Sequence, residues 1–261
     1  MPVSEDLIYS EDGAIARVVF NRPESRNALT LAMYDGLARI CREIPADGPV
    51  KALIVGGAGG RAFAAGTDMT EFRAFEGEAD ALGYERRMDA VLGDIERCAV
   101  PTIAAITGAC TGGGAAISAA CDIRITDARL KWGFPIARTL GNCLSIANLG
   151  RLADLVGPGR LREILFTARL IGAEEAERIG LVSEVLADPE AVAARATALA
   201  GQLASHAPLT LRATKEGLRR LRTDGPRAEG DDLILLTYLS ADFREGMEAF
   251  LGKRQPEWQG K

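Results

Sequence analysis

Two short glycine-bearing segments hold the residues whose types and spacing lend themselves to chemistry. Ala64-Ala65-Gly66-Thr67-Asp68 follows the apolar run Ala52 to Val55, and Gly112-Gly113-Gly114 follows Thr102 to Ile106. Each pattern reads as a strand running into a helix. The first N–H groups of a helix have no intrahelical partner and point outward, and a glycine lets a ligand come close to the main chain. Two such junctions facing each other would hold one oxygen anion between two amides. The helix expected after the second glycine run offers Ala115, Ala116, Ile117 and Ser118, none of them a carboxylate. The pattern thus predicts an anion clamp without an adjacent acid or base.

The elements that must position these junctions alternate in type. Ala14 to Phe20, Lys51 to Gly56, Pro101 to Ile106, Asp122 to Thr126 and Leu181 to Val185 are rich in Val and Ile and are bounded by Gly, Pro or polar residues, which predicts strands. Between them, Leu31 to Ile44 places Leu37, Ile40, Cys41 and Ile44 at helical spacing behind Thr30 as N-cap, and Asp80 to Arg97 reads as a second, more charged helix. Such alternation argues an α/β fold. Beyond Pro158 the pattern turns helical, over Arg160 to Thr167, Ala173 to Ile179, Pro189 to Leu203, Pro208 to Leu221 and Ser240 to Leu251. Pro158, Asp188-Pro189 and Pro208 mark three of the starts, because proline suits the first helical turn. We expect a core over residues 1–190 and a helical cap or assembly region over 191–261.

Bulk properties narrow the function classes. The chain has 261 residues and a formal net charge of -5, so no general field favours nucleic acid or an anionic membrane. The acidic start Met1 to Asp6 lacks the regions of a secretory signal, and Cys41, Cys98, Cys110, Cys121 and Cys143 form neither a C-x-x-C pair nor a ligand cluster. Reduced, mostly buried thiols in the cytoplasm are the expectation. Cys98 to Cys121 carries no charge, but Pro101, Gly108 and the triple glycine break it, which favours a buried strand, turn and helix over a membrane span. The glycines near Gly57 fit neither G-x-G-x-x-G nor a P-loop, which argues against a nucleotide site.

Taken together, Asn21-Arg22-Pro23, Asn27-Ala28-Leu29, Phe63 to Asp68, Gly112 to Gly114, Ala120-Cys121-Asp122-Ile123-Arg124, and Glu245-Gly246 through Ala249-Phe250-Leu251 with Lys253-Arg254 resemble the enoyl-CoA hydratase/isomerase (crotonase) superfamily. The resemblance implies a spiral of ββα units, a helical C-terminal region that forms a trimer or a dimer of trimers, and an acyl-CoA thioester as ligand. Coenzyme A is then part of the substrate and no separate cofactor or metal is implied. The amides of Thr67 and Gly113 would form the oxyanion hole. Arg26, Asn27 and Ala28, with Ala64, Ala65, Asp68 and Met69, would lie along the CoA, and Phe250 and Lys253 match positions that help hold it, in some members from a neighbouring subunit. Negative charge grows on the thioester oxygen as an enolate forms, and preorganised donors stabilise it more than the ground state.

Family members that hydrate enoyl thioesters carry one glutamate shortly after the triple glycine and a second after a Gly-x-Pro turn. Here those positions are Ala116 and Ile136, the latter fixed by Gly133-Phe134-Pro135. A general acid or base contributes on the order of 10²–10⁴-fold, and one oxyanion donor about 10²–10³-fold. A weak hydratase is therefore expected, with isomerase activity also disfavoured. Decarboxylation and non-catalytic acyl-CoA binding are the competing readings. The polar stretch after Ile136 offers Arg138 to attract a substrate carboxylate, Asn142 or Ser145 to orient water, and Cys143 as a nucleophile, although turn formation, capping or packing accounts for each as well. Glu71 is another base candidate or a solvated helix residue. His206 reads as part of a surface turn, Asp122 as a local cap or pair, and Trp132 and Trp258 as packing groups.

Overall fold

The computed structural model describes residues 4–73 and 75–261. β1 (Leu7–Asp12) and β2 (Ile15–Phe20) form an antiparallel hairpin, onto which β3 (Ala52–Gly57), β5 (Thr102–Ile106), β7 (Ile123–Asp127) and β9 (Glu184–Leu186) add in parallel, in the order β1-β2-β3-β5-β7-β9. Three short strands, β4 (Ala62–Ala64), β6 (Ala109–Thr111) and β8 (Lys131–Gly133), make a second parallel sheet. β3, β5 and β7 are each followed by a short strand and then by a helix: β3-β4 by α2 (Glu78–Glu96), β5-β6 by α3 (Gly113–Ala120), and β7-β8 by α4 (Ile146–Val156). Successive units pair strand to strand in both sheets. This is the ββα spiral that the resemblance implies.

Burial explains why the long strands read as continuous apolar runs. Leu53, Val55, Ala104 and Ile106 face the main core, which also takes Met33, Leu37, Ile40 and Cys41 of α1 (Leu31–Glu43). Their neighbours Ala52, Ile54, Ile103, Ala105 and Ile125 face the other way, onto Val192, Ala196 and Ala200 of α7 (Pro189–Ala204). A parallel sheet covered on both faces has no solvent side to mark with polar residues. Position 190, the expected border between core and cap, lies inside α7, so that helix belongs with the sheet. The remaining helices are α5 (Pro158–Thr167), α6 (Ala173–Arg178), α8 (Pro208–Asp224), α9 (Asp231–Tyr238) and α10 (Ala241–Leu251).

Helix starts follow the expected chemistry. Thr30 Oγ1 accepts the Met33 N–H at 3.3 Å, Asp188 accepts the Ala191 N–H at 2.8 Å, and Pro158, Pro189 and Pro208 open their helices. Asp122 also acts locally, accepting from Thr102 N–H at 2.7 Å and from Lys215 Nζ at 2.7 Å. Trp132 is fully buried, donating to Ser118 Oγ at 3.1 Å, and four of the five cysteines are buried.

The structure also corrects several expectations. The short strands β4, β6 and β8 have only three residues each, too few to show an alternating pattern, and they intervene between the long strands and the glycine segments. After Gly66 the chain enters not an α-helix but a 3-10 turn over Met69–Phe72, with Asp68 accepting the Thr70 N–H at 3.0 Å. Leu181 and Val182 are buried outside any strand, and the last strand begins at Glu184. α4 and α9 were not legible, α4 because its cap, Ser145, sits within a polar stretch that reads as a loop.

α3 lies unusually close to β4. A Cβ placed on Gly114 would meet Ala64 O at 2.3 Å and Ala64 Cβ at 2.8 Å, and backbone cannot swing aside as a side chain does. We expect Gly114→Ala to destabilise the protein by about 1–3 kcal/mol, as overpacking does. Gly150→Ala, in α4 with nothing within 4 Å of the new methyl group, should instead raise stability by up to about 1 kcal/mol through helix propensity. Denaturant titration of the two variants checks the contrast.

Candidate active site

The two glycine junctions meet at one cavity. Leu29 N–H donates to Gly66 O at 2.8 Å, Asp68 N–H to Leu29 O at 2.8 Å and Ala65 N–H to Arg26 O at 3.0 Å, which lays residues 26–29 alongside 65–68. Thr111 Oγ1 donates to Ala65 O at 3.0 Å, and Gly112 N–H to Gly133 O at 2.9 Å, so the three short-strand ends are laced together. A Cβ on Gly66 would lie 4.0 Å from Gly113 N, which puts the junctions in van der Waals contact. Among the described residues, neither Thr67 N–H nor Gly113 N–H donates within the chain. Gly113 N–H stands at the head of α3 and Thr67 N–H on the adjoining loop, and two such free donors can together hold one oxygen anion.

The cavity measures about 290 Å³, and Thr67, Gly113, Ala116 and Ile136 all line it. Ala116 sits one turn along α3 from Gly113 and is buried; Ile136 lies in the 3-10 turn Pro135–Ala137. Phe72, Met88, Leu92, Phe134, Leu140 and Leu144 supply apolar walls. Ala116 and Ile136, at the positions where the resemblance implies glutamates, are thus both inside the cavity and both hydrocarbon.

Hydroxyl groups support the clamp from behind. Thr67 Oγ1 lies 2.9 Å from Tyr34 Oη and 2.7 Å from Tyr84 Oη, a three-group chain from α1 through the Thr67 loop to α2. Burial pushes both phenols above their usual range, so they act as hydroxyls and not phenolates. Tyr34 also fixes the space at Gly113, where a Cβ would fall 1.7 Å from its hydroxyl oxygen. α2 adds Glu85, the one charged side chain among the described lining residues, and α4 adds Asn148, whose buried Oδ1 has no partner. Burial raises the Glu85 carboxyl above the usual range, repulsion from Asp89 adds to this, and the Ser145 N–H opposes it.

Tyr34, Tyr84, Glu85 and Asn148 were not singled out from sequence. Tyr34 shares its buried helical face with Leu37 and Cys41, and Tyr84, Met88 and Leu92 recur every four residues, so a polar aromatic on an apolar stripe was the available signal. For Glu85, on a helix with many charges, there was none.

Other candidates sit differently. Ala65 and Met69 line the cavity, while Ala64 is fully buried behind it. Asn27 is turned inward: its side chain accepts from Arg22 N–H at 2.9 Å and donates to Ala62 O at 2.8 Å and Ala58 O at 3.1 Å, so it braces the loop and offers nothing to a ligand. Arg26 is exposed and Ala28 half-buried beside the junction. Asp68 pairs with Arg22 Nη1 at 2.9 Å, and its bonds from Thr70 and Arg22 hold its carboxyl down at about 2. In the polar stretch, Asn142 reaches the cavity, but Arg138 and Cys143 are exposed and outside its lining, because the turn ending in Arg138 N–H to Pro135 O carries them to the surface. Ser145 caps α4 and donates to Asp89 at 2.6 Å, which ties up the hydroxyl expected to orient water, and Glu71, the base candidate, accepts the Leu31 N–H at 3.1 Å outside the cavity lining. Phe250, near the end of α10, and Lys253, just past it, are exposed and are not among the residues lining the cavity. His206 follows α7 in an exposed turn.

Comparison with known proteins adds a second line of observation. A family model described as enoyl-CoA hydratase/isomerase matches residues 10–261. Among curated relatives, the chain is 32% identical to the short-chain-enoyl-CoA hydratase of Clostridium acetobutylicum, over 97% of each protein, and 34% identical to the crotonyl-CoA hydratase of Syntrophomonas wolfei, over 98% of this chain and 99% of the relative. A crystal structure of an enoyl-CoA hydratase/carnithine racemase from Magnetospirillum magneticum superposes with a TM-score of 0.90 at 35% identity, covering 99% of this chain and 97% of that one.

The contact between Tyr34 and Gly113 is testable by a double-mutant cycle. Gly113→Ala forces its methyl group against the buried phenol and should destabilise markedly, whereas in a Tyr34→Phe background, with the oxygen gone, the same change should cost about 1 kcal/mol less or better. Additive effects in chemical denaturation would contradict the contact.

Proposed function

Because the chain belongs to the enoyl-CoA hydratase/isomerase family, we infer that it binds an acyl-CoA thioester in this cavity and stabilises the thioester enolate through the main-chain N–H groups of Thr67 and Gly113. The observation that carries the reading is the pair of donors without partners, on adjoining junctions, opening into one largely apolar cavity. Oxygen anions gain most from donors already fixed in place, and the Thr67 hydroxyl network fixes one of them. The thioester's coenzyme A supplies the only cofactor chemistry needed. Decarboxylation loses its support, since the cation that would orient a second carboxylate, Arg138, lies outside the cavity lining.

Hydration needs a water to be deprotonated and the α-carbon to be protonated, and neither Ala116 nor Ile136 can take part. The protein is therefore a poor hydratase in this reading. The C-terminal helices support assembly into a trimer or a pair of trimers: Leu221, Ile234, Phe243, Phe250 and Leu251 on α8 to α10, with Leu239 between α9 and α10, are all exposed apolar residues. Such a surface fits a second copy of the chain, which would also carry Phe250 and Lys253 toward a neighbour's coenzyme A. No helix among the described residues is long and apolar enough to cross a membrane, and a cytoplasmic location suits a CoA ester as substrate.

Thermal melting with a panel of enoyl-, malonyl-type and aryl-CoA thioesters tests the binding, because a ligand at one hundred times its Kd stabilises by about 2.7 kcal/mol. We expect a rise in Tm with enoyl esters and crotonyl-CoA hydration well below about 10 per second. Ala116→Glu combined with Ile136→Glu should raise that rate by about 10²-fold or more. A folded, thioester-binding double variant with no gain would overturn this account of the defect. Light scattering should give a multiple of three chain masses, and Leu239→Asp with Phe243→Asp should lower it.

A further inference from the structure

We propose that Glu85 is the proton carrier of this cavity, taking a proton from the α-carbon of the bound acyl thioester and returning it to the same carbon or to the γ-carbon. The inference rests on the thioester reading above and adds to it the group that moves the proton. It enters from α2, the wall that carries neither of the usual glutamate positions.

Three observations converge on Glu85. First, it is the one charged side chain among the described residues lining the cavity, and it shares that lining with Thr67, Gly113, Ala116 and Ile136. Second, no basic side chain among the described residues pairs with it, whereas the partly buried carboxylates of Glu96 and Glu216 are held by arginine. A half-buried carboxylate without a counter-ion is costly to keep unless a ligand uses it. Third, Asn148 lines the same cavity, and its buried Oδ1 has no hydrogen-bond partner. One connection places these two side chains on the same wall. Ser145 Oγ donates to Asp89 Oδ1 at 2.6 Å, one turn from Glu85, and accepts the Asn148 N–H at 3.1 Å, which locks the start of α4 to α2. The cavity thereby carries polar groups on α2 and α4 beside the hydrocarbon of Ala116 and Ile136. Desolvation and the neighbouring Asp89 charge bring the carboxyl nearer to neutrality, where an acid–base group is most effective.

A single carboxyl can complete a proton shift by itself. With a 3-enoyl thioester, the α C–H bond breaks and its electron pair forms the C1–C2 double bond, as the carbonyl pair moves onto the oxygen held by the two amides. Glu85 keeps the proton as a carboxylic acid. The oxygen pair then re-forms the carbonyl, the electrons shift so that C2–C3 becomes the double bond, and the γ-carbon takes the proton from Glu85. Substrate and product are isomers, so no oxidant, reductant or water is consumed. Hydration would demand a second group to hold and deprotonate water, which the cavity lacks.

The test separates proton transfer from binding. Full-length protein is incubated with butyryl-CoA in D₂O, α-hydrogen exchange is followed by mass spectrometry, and affinity is measured by titration calorimetry on the same samples. The 3-enoyl to 2-enoyl shift is followed with 3-hexenoyl-CoA. We expect wild type to exchange and to isomerise, Glu85→Gln to lose at least about 10²-fold in both rates with butyryl-CoA affinity unchanged, and Glu85→Asp, which keeps the carboxyl but withdraws it by one methylene, to retain an intermediate rate. Exchange that survives in Glu85→Gln overturns the proposal, as does wild type that binds butyryl-CoA and exchanges nothing. In both cases the thioester reading stands. Absence of butyryl-CoA binding to wild type would remove both.

Discussion

The close approach of α3 to β4 is the constraint on which the cavity depends. Helix N-termini carry unsatisfied donors wherever they occur, but a donor is useful only if a second one shares its target. Here the backbone of Ala64 passes so near Gly114 that no side chain fits between them, and Gly113 is pressed against the Tyr34 phenol on its other side. The small residues of α3, from Gly113 to Ala120, bring its first turn down onto the Thr67 loop. Laced by Thr111 to Ala65 and by Gly112 to Gly133, the short-strand sheet then holds both junctions at one depth.

From that packing the electrostatics follow. The cavity is walled mainly by hydrocarbon, so fixed N–H dipoles act in a medium of low polarisability, where they are worth more than in water. The same walls make an unpaired carboxylate expensive and raise the affinity of Glu85 for a proton. Asp68, only a short distance along the chain from Thr67, shows the opposite behaviour, because donors from Thr70 and Arg22 satisfy its charge at the surface. Two acidic residues contributed by neighbouring segments thus differ in proton affinity through their surroundings alone. Where the resemblance places two glutamates the cavity carries Ala116 and Ile136, and α2 and α4 contribute the polar side chains of Glu85 and Asn148.

Much of the fold was legible because it rests on local chemistry. Thr30, Asp188 and the prolines at 158, 189 and 208 announce helix starts through groups a few residues away, and β2, β3, β5 and β7 announce themselves by apolar runs long enough to cross a core. The strands β4, β6 and β8 stayed hidden since three residues cannot display a period, and their pairing partners are dozens of positions distant. α4 was missed because Ser145, in a stretch of small polar residues, looks the same whether it caps a helix or turns a loop. Asn27 misled for a related reason: its neighbours lie at the junction, while its own side chain points inward to hold Ala62.

Sequence by itself determined the alternation of strands and helices, the two glycine junctions, the family, and the fact that Ala116 and Ile136 offer no proton carrier. Those are properties of residue type and order, which bonds between near neighbours and hydrophobic periodicity express directly. Only the tertiary structure decided which side chains share the cavity. It brought Tyr34, Tyr84, Glu85 and Asn148 from three helices to the two amides and sent Arg138 and Cys143 to the surface. The orientation of a helix about its own axis is set by the packing of its whole buried face against distant elements, and no local pattern in a charged helix such as α2 states which of its carboxylates will turn inward.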